Sequence, residues 1–385
     1  MMATQIRNTL CTFAVLCLLA WFLRFAETSF SSYNIQVLNL VAINAILAVS
    51  LNLIYGMTGM FSLGHAGFMA IGAYTCTIFI LTPGQKSSSW ILEAIHPFLA
   101  DLTLPFSLAV LAGGFAAAII ALVVAIPVLR LGGDYLGIAT LGFAEIIRVV
   151  ITNATSFTNG ALGIKGIPQY ATLWWNYGWL LVTLYVVVSL LRSNVGNVFR
   201  AIRDDEIAAR TMGVNTFFYR VLSFCIGAFF AGVGGALLAA LISTIDPKMF
   251  SFMLTFNILM IVVAGGLGSI TGSVVGSVVI TIMLEWLRPI DGAFTLTDLT
   301  GVAIFEYIPI DGLVGTLNSF TVSSVPGVRM VIFSILLMCI ILFRRQGLLG
   351  TYEFSWGSMF RLFARIGRKL ARNNQEANGH AGGKS

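Results

Sequence analysis

The chain has 385 residues, 58% hydrophobic and 10% charged, with a net charge of +6 and a mean hydropathy of +0.92. An ordinary soluble domain carries about 25% charged residues, so a sequence this apolar cannot cover a water-facing surface and a soluble fold is excluded. Cys11, Cys17, Cys76, Cys225 and Cys339 lie in apolar runs with no C-x-x-C pair, which excludes a cysteine metal centre. The basic residues sit beside hydrophobic segments rather than among exposed aromatics, so the positive balance reads as membrane orientation and not as a nucleic-acid surface.

A helix needs about 20 predominantly apolar residues to cross a bilayer. Such runs occur at 8–24, 35–55, 66–82, 105–130, 134–152, 173–191, 217–241, 249–265, 269–287 and 326–343. The expected fold class is all-α, a polytopic transmembrane helical bundle of about ten spans. The first run follows Arg7 and is expected to persist as a signal anchor, because Arg24-Phe25-Ala26-Glu27 offers no small-x-small cleavage site. The eighth and ninth are separated only by Gly265-Gly266-Leu267-Gly268, so they form two spans, one broken helix or a re-entrant element. With a cytoplasmic N-terminus and ten crossings, fifteen of the 22 lysines and arginines fall on the cytoplasmic side. Glu27, Glu93, Asp101, Asp246, Asp291, Asp298, Glu306 and Asp311 fall opposite. Both termini are then cytoplasmic. The expected organisation is an anchor and outer loop at 1–34, a transmembrane domain at 35–350 with an outer insertion at about 289–325, and a basic, partly disordered tail at 351–385. In that tail, Arg361, Arg365, Arg368, Lys369 and Arg372 suit a surface helix on the anionic inner leaflet.

Between the second and third runs, Gly59, Ser62, Gly64, His65 and Gly67 belong to a glycine-rich interruption. It is either a tight cytoplasmic turn or a break that marks a solute path or hinge. Ser62 and His65 do not make a hydrolase pair, being three apart in a glycine-rich turn. Glu145 and Arg148 share one face of the fifth run and can neutralise each other, as a functional pair or as a tie between helices. Asn159 lies in a polar outer loop at 153–166. Gly265, Gly266 and Gly268 are hinge candidates, and Gly268, Gly272 and Gly276 form a stripe of small residues for close helix packing. The sequence Gly379-His380-Ala381-Gly382-Gly383-Lys384-Ser385 is not a phosphate-binding loop, because Asn378 stands where glycine is required.

The segment 200–214 is expected to form a short amphipathic cytoplasmic helix ended by Gly213. Ala201, Ile202, Ala208, Ala209 and Met212 lie to one side, with Arg203, Asp204, Glu206 and Arg210 to the other. It reads as a solvated loop helix or as an insert for a partner's groove.

Leu129 to Arg148, Ser62 to Phe68, Ile71-Gly72-Ala73-Tyr74, Arg203 to Ala209, Gly265 to Ser269 and Gln346-Gly347-Leu348-Leu349 together resemble the LivM-type branched-chain amino acid permeases of ABC importers. The likeness runs over about 35–350; the segment Pro289–Pro326 and Arg345, where the family usually has proline, depart from it. The resemblance implies a non-catalytic subunit of the bacterial inner membrane that imports leucine, isoleucine and valine by alternating access. It implies a second, LivH-like permease, two cytoplasmic ATPases that carry the ATP and Mg, an extracytoplasmic solute-binding protein, and no cofactor or metal on this chain. It assigns coupling to Arg200, Arg203, Asp204, Asp205, Glu206, Ala208, Ala209, Arg210 and Gly213, and adds Asp134 and Tyr135 to the path candidates. The alternatives are an ABC permease for urea, a short amide, another amino acid or a sugar, and an ion-coupled secondary transporter.

Overall fold

The computed structural model describes residues 2–90, 93, 95–130 and 133–288, and beyond them 331–332, 334–335, 338, 342, 347–350 and 353. The expected insertion at about 289–325 lies outside the described residues, as do the run at 326–343 and the tail at 351–385 apart from those single positions. Residues 1–28 with 352–385 form one unit and 29–351 a second. The first contains helix α1 (Met2–Ser29), which exposes Leu10, Phe13, Leu18 and Trp21.

The second unit begins with α2 (Ser32–Asn52), capped by the Ser31 side chain and prolonged by a π-helical turn over Leu53–Met57. There follow α3 (His65–Ile80), α4 (Pro83–Ser89), α5 (Pro97–Ala100), α6 (Phe106–Val128), α7 (Asp134–Asn153), α8 (Thr155–Thr158), strand β1 (Ile164–Lys165) and α9 (Leu173–Arg192). Next come α10 (Asn194–Asp204), α11 (Glu206–Thr211), α12 (Thr216–Ile242), β2 (Thr244–Ile245), α13 (Phe252–Gly265) and α14 (Ile270–Trp286).

The chain is an all-α polytopic membrane protein, and its described spans are not uniform crossings. Among the described residues six helices are long and apolar enough to cross a bilayer, or seven if α13 and α14 count as one broken span. The physical cause is glycine. At the first interruption the chain leaves α2 through the π-turn and a buried non-helical stretch, and α3 keeps only 16 residues. At the second, Gly266 (φ 128) and Gly268 (φ 80) turn the chain through 119° between α13 and α14. With 14 and 17 residues these two helices are about 21 and 25 Å long.

The core sits where α3, α6 and α12 cross. A Cβ at Gly72 would strike the carbonyl of Gly232, and one at Gly232 would lie 2.6 Å from the Ala117 methyl and 2.9 Å from the Gly113 carbonyl. Such backbone contact is open to glycine alone and replaces the hydrophobic driving force that lipid removes. α2 packs beside this trio and carries α9, α13 and α14 on its other flanks, while α7 packs on α3. The outward side of α6 is uniformly apolar, with Leu108, Phe115, Ile119, Leu122, Val123 and Ile126 exposed, as a lipid-facing surface requires.

One end of the bundle is closed by the antiparallel pair β1–β2, with Ile164 opposite Ile245 and Lys165 opposite Thr244. Nearby, the fully buried Lys86 donates to the carbonyls of Leu99, Ala100 and Leu102, closing the end of α5. Burial lowers its pKa, with Asp101 opposing the shift. Glu93 accepts from the hydroxyls of Ser156 and Thr155, which hold its carboxyl below the usual range. The opposite end carries α10 and α11.

Candidate functional site

Residues 194–211 form two helices rather than one. The break falls at Asp205, whose extended backbone (φ −158, ψ 109) lets its carboxylate cap α11 by accepting from the N–H groups of Ile207 at 2.8 Å and Ala208 at 3.0 Å. Gly213 (φ 84) ends α11 as the sequence indicated. The expected Glu206–Arg210 pair forms at 3.1 Å, but the second carboxylate oxygen of Glu206 accepts from Arg220 of α12 at 2.5 Å. Glu206 therefore ties α11 to a span instead of facing outward. The apolar side also divides: Ile202 and Ala209 are buried, whereas Met212 is 85% and Ile207 77% exposed. Arg200 donates to the Leu191 carbonyl at the end of α9.

Arg203 joins α10 to both interruptions. Its Nη1 donates to the Gly56 carbonyl at 3.2 Å, and its Nε and Nη2 hold Asp204 at 3.0 Å. Gly59 (φ 73) presses on it so closely that a Cβ there would lie 3.3 Å from Arg203 Cγ, and a Cβ at Gly268 would lie 3.1 Å from Nη1. Beneath it the fully buried Asn52 spans the two breaks: its Nδ2 donates to the Ser269 carbonyl at 2.9 Å and Ser273 Oγ at 2.8 Å, while its Oδ1 accepts from Gly268 N at 2.9 Å. Leu348 N and Leu349 N then donate to the carbonyls of Ala264 and Gly265, closing the end of α13. Sequence reasoning left Asn52, Arg220 and Gly347–Leu349 out of the site. The available signals were a polar residue inside an apolar run and the recurrence of Gly-Leu after the last run.

Gly268 thus leaves the packing stripe, since α14 begins only at Ile270. Gly272 and Gly276 do pack within the chain: Cβ atoms there would lie 2.6 Å from the carbonyls of Gly265 and Ile261 on α13.

Gly64 and Gly67 fit α3 against Thr140 and Ala144 of α7, where added Cβ atoms would come within 2.9 Å of backbone atoms. Ser62 is buried, and His65 is sealed in the core with its Nε2 at 2.8 Å from Ser50 Oγ. Its Nδ1 has no hydrogen-bond partner among the described residues. The side chain of Asp134 lies outside the described residues; Tyr135 is exposed. Glu145 and Arg148 form the expected ion pair on α7, in the open rather than between helices. Asn159, in the left-handed region (φ 59), is buried and donates to the carbonyls of Ser89 and Gly163, so it fastens the loops at the β end. Apart from Ser62, Gly64, His65 and Gly67 at the start of α3 and Gly272 and Gly276 on α14, the site residues fall into three places: a junction around Arg203 and α11, the α7 face and the loops at the β end.

Residues 33–341 match the family described as "Branched-chain amino acid transport system / permease component". The chain belongs to that family. It is 30% identical over 309 residues to the high-affinity branched-chain amino acid transport system permease protein LivM of Escherichia coli K12, covering 71% of this chain and 68% of that protein. It is also similar to the permease protein LivH of Salmonella typhimurium, 26% identical over 59% of this chain and 76% of that one. The nucleoside ABC transporter permease NupC of Lactococcus lactis is 27% identical over 48% and 60% of the two chains. No solved structure matches significantly. The chain is thus a LivM-type permease and a multi-pass membrane protein.

Proposed function

We propose that this chain forms half of the membrane route of an ATP-driven importer of branched-chain amino acids in a bacterial inner membrane, paired with a LivH-like permease and fed by a solute-binding protein. Two cytoplasmic ATPases, which carry the ATP and Mg, engage α10–α11, and alternating access follows their closure. The observation that carries this reading is the Arg203 junction. A force applied to α10 reaches the π-turn of α2 and the α13–α14 break through one side chain with a 3.2 Å bond to Gly56 and close contact with Gly59 and Gly268. Beside these contacts the stretches 58–64 and 266–269 are non-helical, so they can change dihedral angles without breaking a helix ladder. Pairing with an ATPase belongs to the exposed Ile207 and Met212 and to Arg210, while Glu206 fixes the angle of α11 through Arg220.

In proteoliposomes holding the complete transporter, Arg203→Ala is expected to retain the ATPases on co-purification and to lose about tenfold in leucine uptake, the loss of a charge-assisted bond. Undiminished uptake removes Arg203 from the transmission path. A second reading, an ABC permease for another small polar solute, is favoured by the likeness to the nucleoside permease. Competition of leucine, uridine and urea for uptake separates the two.

A further inference from the structure

Resting on the branched-chain amino acid reading, we propose that Glu145 and Arg148 receive the ammonium and carboxylate of the solute midway across the membrane. Glu145 is the twelfth residue of the 20-residue α7, about 16 Å along the helix from its first residue. At that depth the Glu145 side chain is still 52% exposed and that of Arg148 30%. Charged groups facing hydrocarbon at mid-depth are costly and mark pathways by default. The rest of the face agrees. Tyr135, Ile138, Gly142, Glu145, Val149 and Asn153 are all exposed at three- or four-residue spacing, and a Cβ at Gly142 would meet open space. The outward face of α6, which meets the demands of lipid, has no such polar or open positions among the six exposed side chains named above. The α7 stripe therefore borders a wet route or a partner subunit.

The chemistry of the pair selects a zwitterion. Arg148 Nε donates to both Glu145 oxygens at 3.0 Å and its Nη2 to Oε1; among the described residues no other group hydrogen-bonds either side chain. An amino acid carries the same two charges close together. When it enters, its carboxylate takes the guanidinium and its ammonium takes the Glu145 carboxylate, so one ion pair becomes two and the net charge stays zero. A cation or an anion leaves one member of the pair uncompensated, and a neutral solute replaces neither partner. Beside the charges, Ile138, Gly142 and Ile146 repeat every fourth residue as an exposed apolar row with a gap at the glycine, which suits an aliphatic side chain.

The test measures uptake of labelled leucine by the complete transporter, supplied with its binding protein, in proteoliposomes. The double variant Glu145→Gln/Arg148→Gln keeps hydrogen-bonding groups and removes both charges, so a merely structural pair tolerates it. The assignment predicts a loss of about tenfold or more with partner co-purification retained. Wild-type uptake by that variant overturns the assignment alone; absence of leucine uptake by the unaltered chain overturns the import reading as well. Should the double variant fail to assemble, Val149→Cys in the unaltered charge background decides, measured against the parent chain. Its labelling by a membrane-impermeant thiol reagent must be slowed during leucine transport, and labelling indifferent to leucine overturns the proposal.

Discussion

Asn52 is the residue on which the two interrupted spans depend for their relative position. It is 1% exposed, and its side chain forms three hydrogen bonds to the α13–α14 break. A hydrophobic isostere fills the same volume but strands the Gly268 N–H, which hydrocarbon cannot satisfy, while the Ser269 carbonyl keeps its bonds from Ser273. Asn52→Leu is therefore expected to cost about 2 kcal/mol, read as a lower thermal unfolding midpoint in detergent. A variant with an unchanged midpoint shows that another group takes over those bonds. Gly56 belongs to the same arrangement, because a Cβ there would collide with Asn52 Oδ1 and with the Gly268 nitrogen.

At the scale of elements, α11 and its C-cap present Ile207 and Met212 outward, on a helix whose orientation Asp205 and Glu206 fix from within. Replacing both by serine removes apolar contact area from a partner and leaves the internal ties intact. The expected result is weakened ATPase co-purification with unchanged membrane insertion; full co-purification places the ATPase contact elsewhere. The helical character of this segment and its end at Gly213 were legible in the sequence, because amphipathic spacing and a terminating glycine are local signals. Its division at Asp205 was not, since capping competes with helix continuation only when the flanking helices are held by other spans. Spans α2, α6, α7, α9 and α12 were legible for a similar reason: apolar length is a local property. The Arg203 junction depends on contacts 147 residues apart in sequence, between Arg203 and Gly56, which no periodicity encodes. The Glu145–Arg148 pair was visible as spacing, whereas its openness depends on which neighbour covers α7.

For the whole molecule, the charge distribution sets a testable orientation. Three spans, α6, α7 and α9, separate Ser88 from Met212, so the two positions belong on opposite sides of the membrane. With the basic segments inside, Met212→Cys is expected to react with an impermeant thiol reagent only after the cells are permeabilised, and Ser88→Cys in intact cells. The reverse pattern inverts the topology. The crossing of α3, α6 and α12 bears on how such a chain can move. Where backbones touch without intervening side chains there is no rotamer to relax and no cushion to slide over, so Gly72, Gly113 and Gly232 act as a weld. The three helices then travel as one girder, and the compliance of the molecule is confined to seams lined by side chains and to the two unwound joints beside Arg203.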